Sequence, residues 1–223
     1  MFDWEEASTI SAHTHNYLDE NEREISNFVD SLLSRVSAGG NGKLAIDRVH
    51  FFVPFGRNED FVGRESLLEK LLATVPPDVE AEQYQKTAVV GLGGVGKTQI
   101  ALEPACLVRK KYPDCSIFWV LAIDDVSYRN AYREIGELLK IDGIKDDKAD
   151  VEELVKKAIE NKKAGSWLLI IDNVDSPGQF GGFKKLASRL RFSRQGCLLF
   201  ASRNREITVQ LGVSKSKILT SGP

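Results

Sequence analysis

Gly91-Leu92-Gly93-Gly94-Val95-Gly96-Lys97-Thr98 decides how this chain is read. The stretch fits G-x-x-x-x-G-K-T, a loop that wraps phosphate. Thr87-Ala88-Val89-Val90 before it is apolar and β-branched, as a buried strand should be. Gln99 to Lys111 after it has helical character. Glycines let the backbone close around an anion, and a helix start offers unpaired N–H groups at the positive end of a dipole. The predicted binding set is Gly91, Gly93, Gly94, Val95, Gly96, Lys97, Thr98 and Gln99. Lys97 can reach the β and γ phosphates, and Thr98 can place its hydroxyl on magnesium. Chance gives such a pattern in about one chain per hundred of this length.

Two later stretches complete a nucleotide site. Trp167-Leu168-Leu169-Ile170-Ile171 reads as a buried strand and runs into Asp172-Asn173-Val174-Asp175. An acid at the carboxyl end of such a strand lies where α/β proteins bind ligands. This is a Walker B arrangement, in which Asp172 can hold magnesium directly or through water. Hydrolysis also needs a group that orients water. Asn173 is an amide and cannot act as a base, so Asp175 is the remaining candidate; a solvated loop acid is the other reading of it. The candidate catalytic set is Asp172, Asp175 and Lys97. Cys197 to Ala201 forms the next strand and leads to Ser202-Arg203. A cation there can touch a γ-phosphate; Arg205 competes for that role and is expected to face solvent.

The remaining pattern alternates. Strands are predicted at about 86–91, 116–121, 167–171, 197–201 and 217–219. Between them, 127–141 carries Tyr128, Ala131, Tyr132, Ile135, Leu138 and Leu139 at helical spacing, and Asp150 to Glu153 resembles a capping box opening another helix. A short helix is predicted over 183–190. Continuous apolar strands between helices imply a parallel sheet covered on both faces. The predicted fold is therefore α/β: a three-layer P-loop NTPase, its parallel five-stranded sheet flanked by helices, with a helical N-terminal segment. Upstream, His50 to Phe55 is an extended apolar segment. A helix with Leu67, Leu68, Leu71, Leu72 and Val75 on one face follows, ended by Pro76-Pro77. Pro104 removes a backbone bond from the helix after the loop and should kink it, at about 3 kcal/mol. Residues 1–49 read as a separate segment: an amphipathic helix within 16–36, then a glycine-rich linker at 37–42. That helix is expected to pack beside the main domain, 50–223, or to be the tail of an upstream domain; an effector or partner-binding helix is the other reading.

The chain has 223 residues and a formal charge of −2, so nothing draws it as a whole to nucleic acid or anionic membrane. The basic groups Lys162-Lys163 and Arg189-Leu190-Arg191 are expected as solvated surface. Cys106, Cys115 and Cys197 show no paired spacing, which fits a reducing compartment. His13, His15 and His50 form no metal pattern and are expected as exposed polar residues. No secretory signal and no membrane-length apolar run is present, so a cytoplasmic location is expected.

Phe61-Val62-Gly63-Arg64-Glu65, Gly91 through Thr98, Leu168 through Asp175 and Leu198 through Arg203, in that order, resemble the NB-ARC domain of STAND signal-transduction NTPases of the NOD-like receptor type. Val53-Pro54-Phe55 and Gly196 through Arg203 look most like its fungal branch. The resemblance covers about residues 50–220. It implies a sheet of ASCE type, with an extra strand between the phosphate-loop strand and the Walker B strand, and a preference for ADP and ATP with Mg2+. It would set Val62 and Arg64 at the adenine, Lys97 and Thr98 at phosphate and magnesium, Asp172 at magnesium, and Arg203 at the γ-phosphate. Ala201 departs from a threonine common in the family, although Ser202 keeps a hydroxyl. The helical and winged-helix subdomains that the family places next are not in this sequence, which ends at Pro223. The expected function is a regulatory switch with slow or no hydrolysis and self-association or a partner protein as its output. A working ATPase of AAA-like type is the alternative. A small-molecule kinase would bring an arginine-rich lid and an acceptor site, neither of which is evident.

Overall fold

The computed structural model describes residues 49–75, 85–161, 164–176, 183–190, 192 and 196–221. The expected helix within 16–36, the linker at 37–42, His13, His15, Pro76-Pro77, Lys162-Lys163 and Arg191 lie outside the described residues. We keep the division between 1–49 and 50–223 as a proposal.

The described strands are β1 (Phe51–Phe52), β2 (Gln85–Val90), β3 (Cys115–Leu121), β4 (Ser166–Asp172), β5 (Gly196–Ser202) and β6 (Ile218–Thr220). They form one sheet in the order β1-β3-β4-β5-β2-β6, and every pairing is parallel. The helices are α1 (Glu65–Leu72), α2 (Lys97–Lys111), α3 (Asp125–Leu138), α4 (Val151–Ile159), α5 (Phe183–Arg189) and α6 (Arg205–Gln210). A 3-10 turn at Lys215–Lys217 precedes β6. As expected, β5 stands between the phosphate-loop strand β2 and the Walker B strand β4.

Strand side chains alternate between faces, and here both faces are apolar. Val89, Ile117, Trp119, Leu168, Ile170 and Leu199 pack on one side with residues of α1 and α2. Phe118, Val120, Leu169, Ile171, Leu198 and Phe200 pack on the other with α3, α4 and α6. The result is three layers, with an apolar core on each side of the sheet.

Several expectations change. The sheet has six strands, because Phe51 and Phe52 pair with Ile117 and Phe118 at its edge. Pro54, which cannot donate to a ladder, follows closely and limits β1 to two residues. Helix α2 continues on both sides of Pro104, and the kink expected there stands as a proposal. Its buried Ile100, Leu102, Ala105 and Val108 are held against α1 and the sheet, and that packing outweighs the lost bond. Leu138 is exposed; Ile144 fills the core beside Gly136 instead. His50 is half-buried rather than exposed, its N–H on the Ser116 hydroxyl at 3.2 Å. Arg189 is not solvated surface: its Nε lies 2.8 Å from the buried Glu152 carboxylate.

Candidate functional site

Three carboxyl strand ends meet at one edge of the sheet. They are the ends of β2, β4 and β5, which lie in the order β4-β5-β2. β2 runs directly into the glycine loop and α2. Gly94 and Gly96 both have φ of +80°, a left-handed conformation that glycine adopts freely. A Cβ on either would meet nothing within 4 Å, so backbone angle and not space requires glycine there. Gly91 is the reverse case. A Cβ on it would overlap the Ser221 hydroxyl, whose N–H and O–H both donate to the Val90 carbonyl, at 2.8 and 3.3 Å. Gly96 caps α2 without any side-chain hydrogen bond, and no acid occupies the first turn. Arg109, Lys110 and Lys111 fill the last turn, where cations favour the dipole. The positive end of α2 is thus left open toward the loop. Val95 and Gln99 are half-buried beside it, and the Leu92 side chain is exposed.

The side chains behind this loop form a charged cluster. Lys97 is buried, and its Nζ donates to the Leu92 carbonyl at 2.7 Å. Burial holds its pKa below the ordinary lysine value, against the opposing pull of Asp175 and Asp172. Thr98 donates its hydroxyl to Asp172 Oδ2 at 2.9 Å. Burial raises the Asp172 pKa, and the Thr98 hydrogen bond works the other way. A hydroxyl beside a desolvated carboxylate is a donor set of hard oxygens, and it fits a magnesium ion. Asn173 has φ of +68°, and its N–H donates to the Ala201 carbonyl at 3.0 Å. Asp175 is not a free loop acid. Its Oδ1 accepts from the Arg203 backbone N–H at 2.6 Å and from the Ser202 hydroxyl at 3.2 Å, while its Oδ2 lies 3.1 Å from Arg203 Nε. The Arg203 guanidinium lies over the loop, 3.6 Å from where a Cβ on Gly93 would stand. Arg205 is exposed.

The raised Asp172 pKa sets a pH dependence. The stability it contributes is complete below the unfolded aspartate value and is lost as pH rises through the folded value. At pH 7 the buried carboxylate is therefore a net cost. Asp172→Asn removes that cost and keeps an oxygen for Thr98. We expect the variant to melt above the parent at pH 7 without magnesium, the gap closing in acid. Melting curves across pH check this; a variant that melts below the parent at pH 7 contradicts it.

Val62 and Arg64 belong to a neighbouring element. Val62 is 80% exposed on the loop before α1, although it is apolar. Gly63 and Arg64 are both left-handed, at φ of +83° and +65°, and Arg64 is the N-cap of α1, which packs on α2. The structure therefore brings Lys97, Thr98, Asp172, Asp175 and Arg203 into one cluster and sets Val62 and Arg64 on its α1 side. Sequence reasoning missed four supports: the Leu92 carbonyl, the Ser202 hydroxyl, Ser221, and Arg57. Arg57 grips the buried Glu103 of α2, with Nη2 at 3.1 Å from Oε2, and that hydrogen bond raises its pKa. Only Ser202 carried a signal, as a hydroxyl one residue before the arginine.

An uncapped helix start, left-handed glycines, a desolvated lysine and a carboxylate at the next strand but one together define a P-loop nucleotide-binding fold. The NB-ARC domain model matches residues 64–221, and the chain belongs to that family. A nucleotide-binding leucine-rich repeat (NLR)-like protein of Hyaloscypha variabilis is 44% identical over 176 residues, 74% of this chain and 18% of that protein. The probable disease resistance RPP8-like protein 4 of Arabidopsis thaliana is 25% identical over 158 residues, 70% of this chain and 16% of its own length. The chain thus spans under a fifth of these relatives. Among solved structures, Cdc6p from Pyrobaculum aerophilum superposes with a TM-score of 0.57 at 15% identity, over 77% of this chain and 48% of that one. The Aeropyrum pernix ORC1 protein, solved in complex with DNA, gives 0.55 at 17%, over the same shares. These likenesses show the fold alone. No described helix is long and apolar enough to cross a membrane.

Proposed function

We propose that this chain binds ADP and ATP with Mg2+ and acts as the switch domain of an NLR-like signalling protein, with slow or no hydrolysis. The loop N–H groups, Val95, Gln99 and Lys97 hold the phosphates. Thr98 and Asp172 hold magnesium, which would offset charge on the β and γ phosphates. Val62 offers an apolar surface to the adenine, with Arg64 beside it. The observation that carries the slow rate is the state of the acids. Asn173 follows the magnesium acid, and both oxygens of Asp175 are already engaged by Ser202 and Arg203. The acid nearest to that task is thus already committed to the arginine and its support. The output is self-association or engagement of a partner protein, and the compartment is the cytoplasm, in keeping with three unpaired cysteines.

Steady-state hydrolysis by the purified chain tests the rate. Turnover well below about 1 per second is expected; faster turnover favours a working ATPase. Arg203→Ala should weaken ATP about tenfold and leave ADP nearly unchanged, because the guanidinium addresses the γ-phosphate. Equal losses for both nucleotides in parallel titrations remove that role.

A further inference from the structure

Asp175 lies three residues beyond β4, and Arg203 lies one residue beyond β5. The register that pairs Asp172 with Ala201 brings them side by side, although 28 residues separate them in sequence. The carboxylate makes contacts of two kinds. Through Oδ1 it accepts from the Arg203 backbone and the Ser202 hydroxyl, which fixes its own position. Through Oδ2 it holds Nε of the Arg203 side chain. Ser202 is fully buried, and its one hydroxyl proton is shared between Asp175 Oδ1 and the nearer Val174 carbonyl, at 3.0 Å, so the carboxylate rests on a buried support.

The guanidinium has little else to hold it. The Arg203 side chain is 60% exposed, and a long exposed arginine has many rotamers. Its Nη1 and Nη2 have no hydrogen-bond partner among the described residues. With Nε held by Asp175, the guanidinium lies across Gly93, with Cζ and Nη1 at 3.6 Å and Nε at 3.7 Å from where a Cβ would stand, and its Nη groups remain for the γ-phosphate of a loop-bound nucleotide. A fork aimed in advance loses less freedom on binding.

We propose that Asp175 is the positioning residue that aims Arg203 at the phosphate loop, and so sets how well the site tells a triphosphate from a diphosphate. This rests on the nucleotide reading above. It differs from a role as water-orienting base, because both of its oxygens serve the arginine and its support. It also differs from a role as a neutralising counter-ion, which would oppose triphosphate binding rather than favour it.

The test is a double-mutant cycle on the full chain, read as the ratio of Kd for ADP to Kd for ATP in magnesium. Inorganic tripolyphosphate serves as a base-free probe, and melting curves check the fold. Arg203→Ala should lower the ratio about tenfold. Asp175→Ala should lower it at least about threefold, and the double variant should match Arg203→Ala within about twofold. Asp175→Asn, which keeps an oxygen for Ser202 and the Arg203 backbone, should fall between Asp175→Ala and the parent; it carries the test if Asp175→Ala does not fold. A ratio that rises in these variants identifies a neutralising acid and overturns the proposal. An unchanged ratio overturns it too, and an unchanged ratio with lost turnover identifies a base. If the parent binds neither nucleotide nor tripolyphosphate, the nucleotide reading itself falls. If it binds them and only the variants disobey, this inference falls alone.

Discussion

Lys97→Ala loses at least about a hundredfold in affinity for both ATP and ADP while the domain stays folded. The ammonium sits in the phosphate loop, where it can make charge-assisted bonds to two phosphates. Each such bond contributes about 1.5–3 kcal/mol, and about 1.4 kcal/mol is a tenfold change. The fold should survive for a separate reason. Burial already disfavours the charged lysine, and among the described residues its ammonium donates to Leu92, a carbonyl on an exposed loop residue that water can serve. Removing the ammonium therefore strands no hydrogen-bond acceptor in the core, and the buried Asp172, which loses a nearby positive charge, keeps its hydrogen bond from Thr98. Titration with each nucleotide, beside a melting curve, separates the two effects. Unchanged affinity refutes the phosphate role, and a collapsed fold refutes the account of Lys97 as dispensable to the core.

Gly196→Ala destabilises the domain by about 3 kcal/mol, against the usual trend. Replacing glycine in a strand ordinarily gains about 0.5–1 kcal/mol, because glycine has more freedom to lose. Here the register sets Gly196 opposite Trp167, and a Cβ would overlap the indole ring. Trp167 cannot swing away. It is 2% exposed, and its other contacts include Phe192, with ring centroids 4.8 Å apart. Overpacking must then exceed the backbone gain. Denaturant midpoints measure the loss, and Trp167→Phe in the Gly196→Ala background should recover part of it. A variant as stable as the parent contradicts the close fit.

Much of the fold was legible because its signals are local. Each central strand is a continuous apolar run, and the glycine loop, Asp172 and Arg203 each end one. Capping was legible as well: Asp150 accepts from the Glu153 N–H at 3.2 Å, as the box pattern implied. What failed was pairing across distance. β1 is too short to announce itself and exists because β3 offers an edge. Arg189 looked like surface because Glu152, its partner, is far off in sequence. Asp175 carried two readings for the same reason: the bonds that occupy it come from β5. Ser221 behind Gly91 left no sequence signal, since it depends on where β6 ends. In the site, the residues that would touch ligand stood out, whereas those that hold them in place did not. Motif spacing encodes the first group, and sheet register encodes the second.

Calorimetric titration of the purified chain with ATP and with ADP, each with and without magnesium, bears most directly on the central claim of a nucleotide-binding loop. The account predicts saturable binding of one nucleotide per chain for both, tighter with magnesium. It is contradicted if neither nucleotide gives saturable binding up to about 1 mM, the range of very weak association.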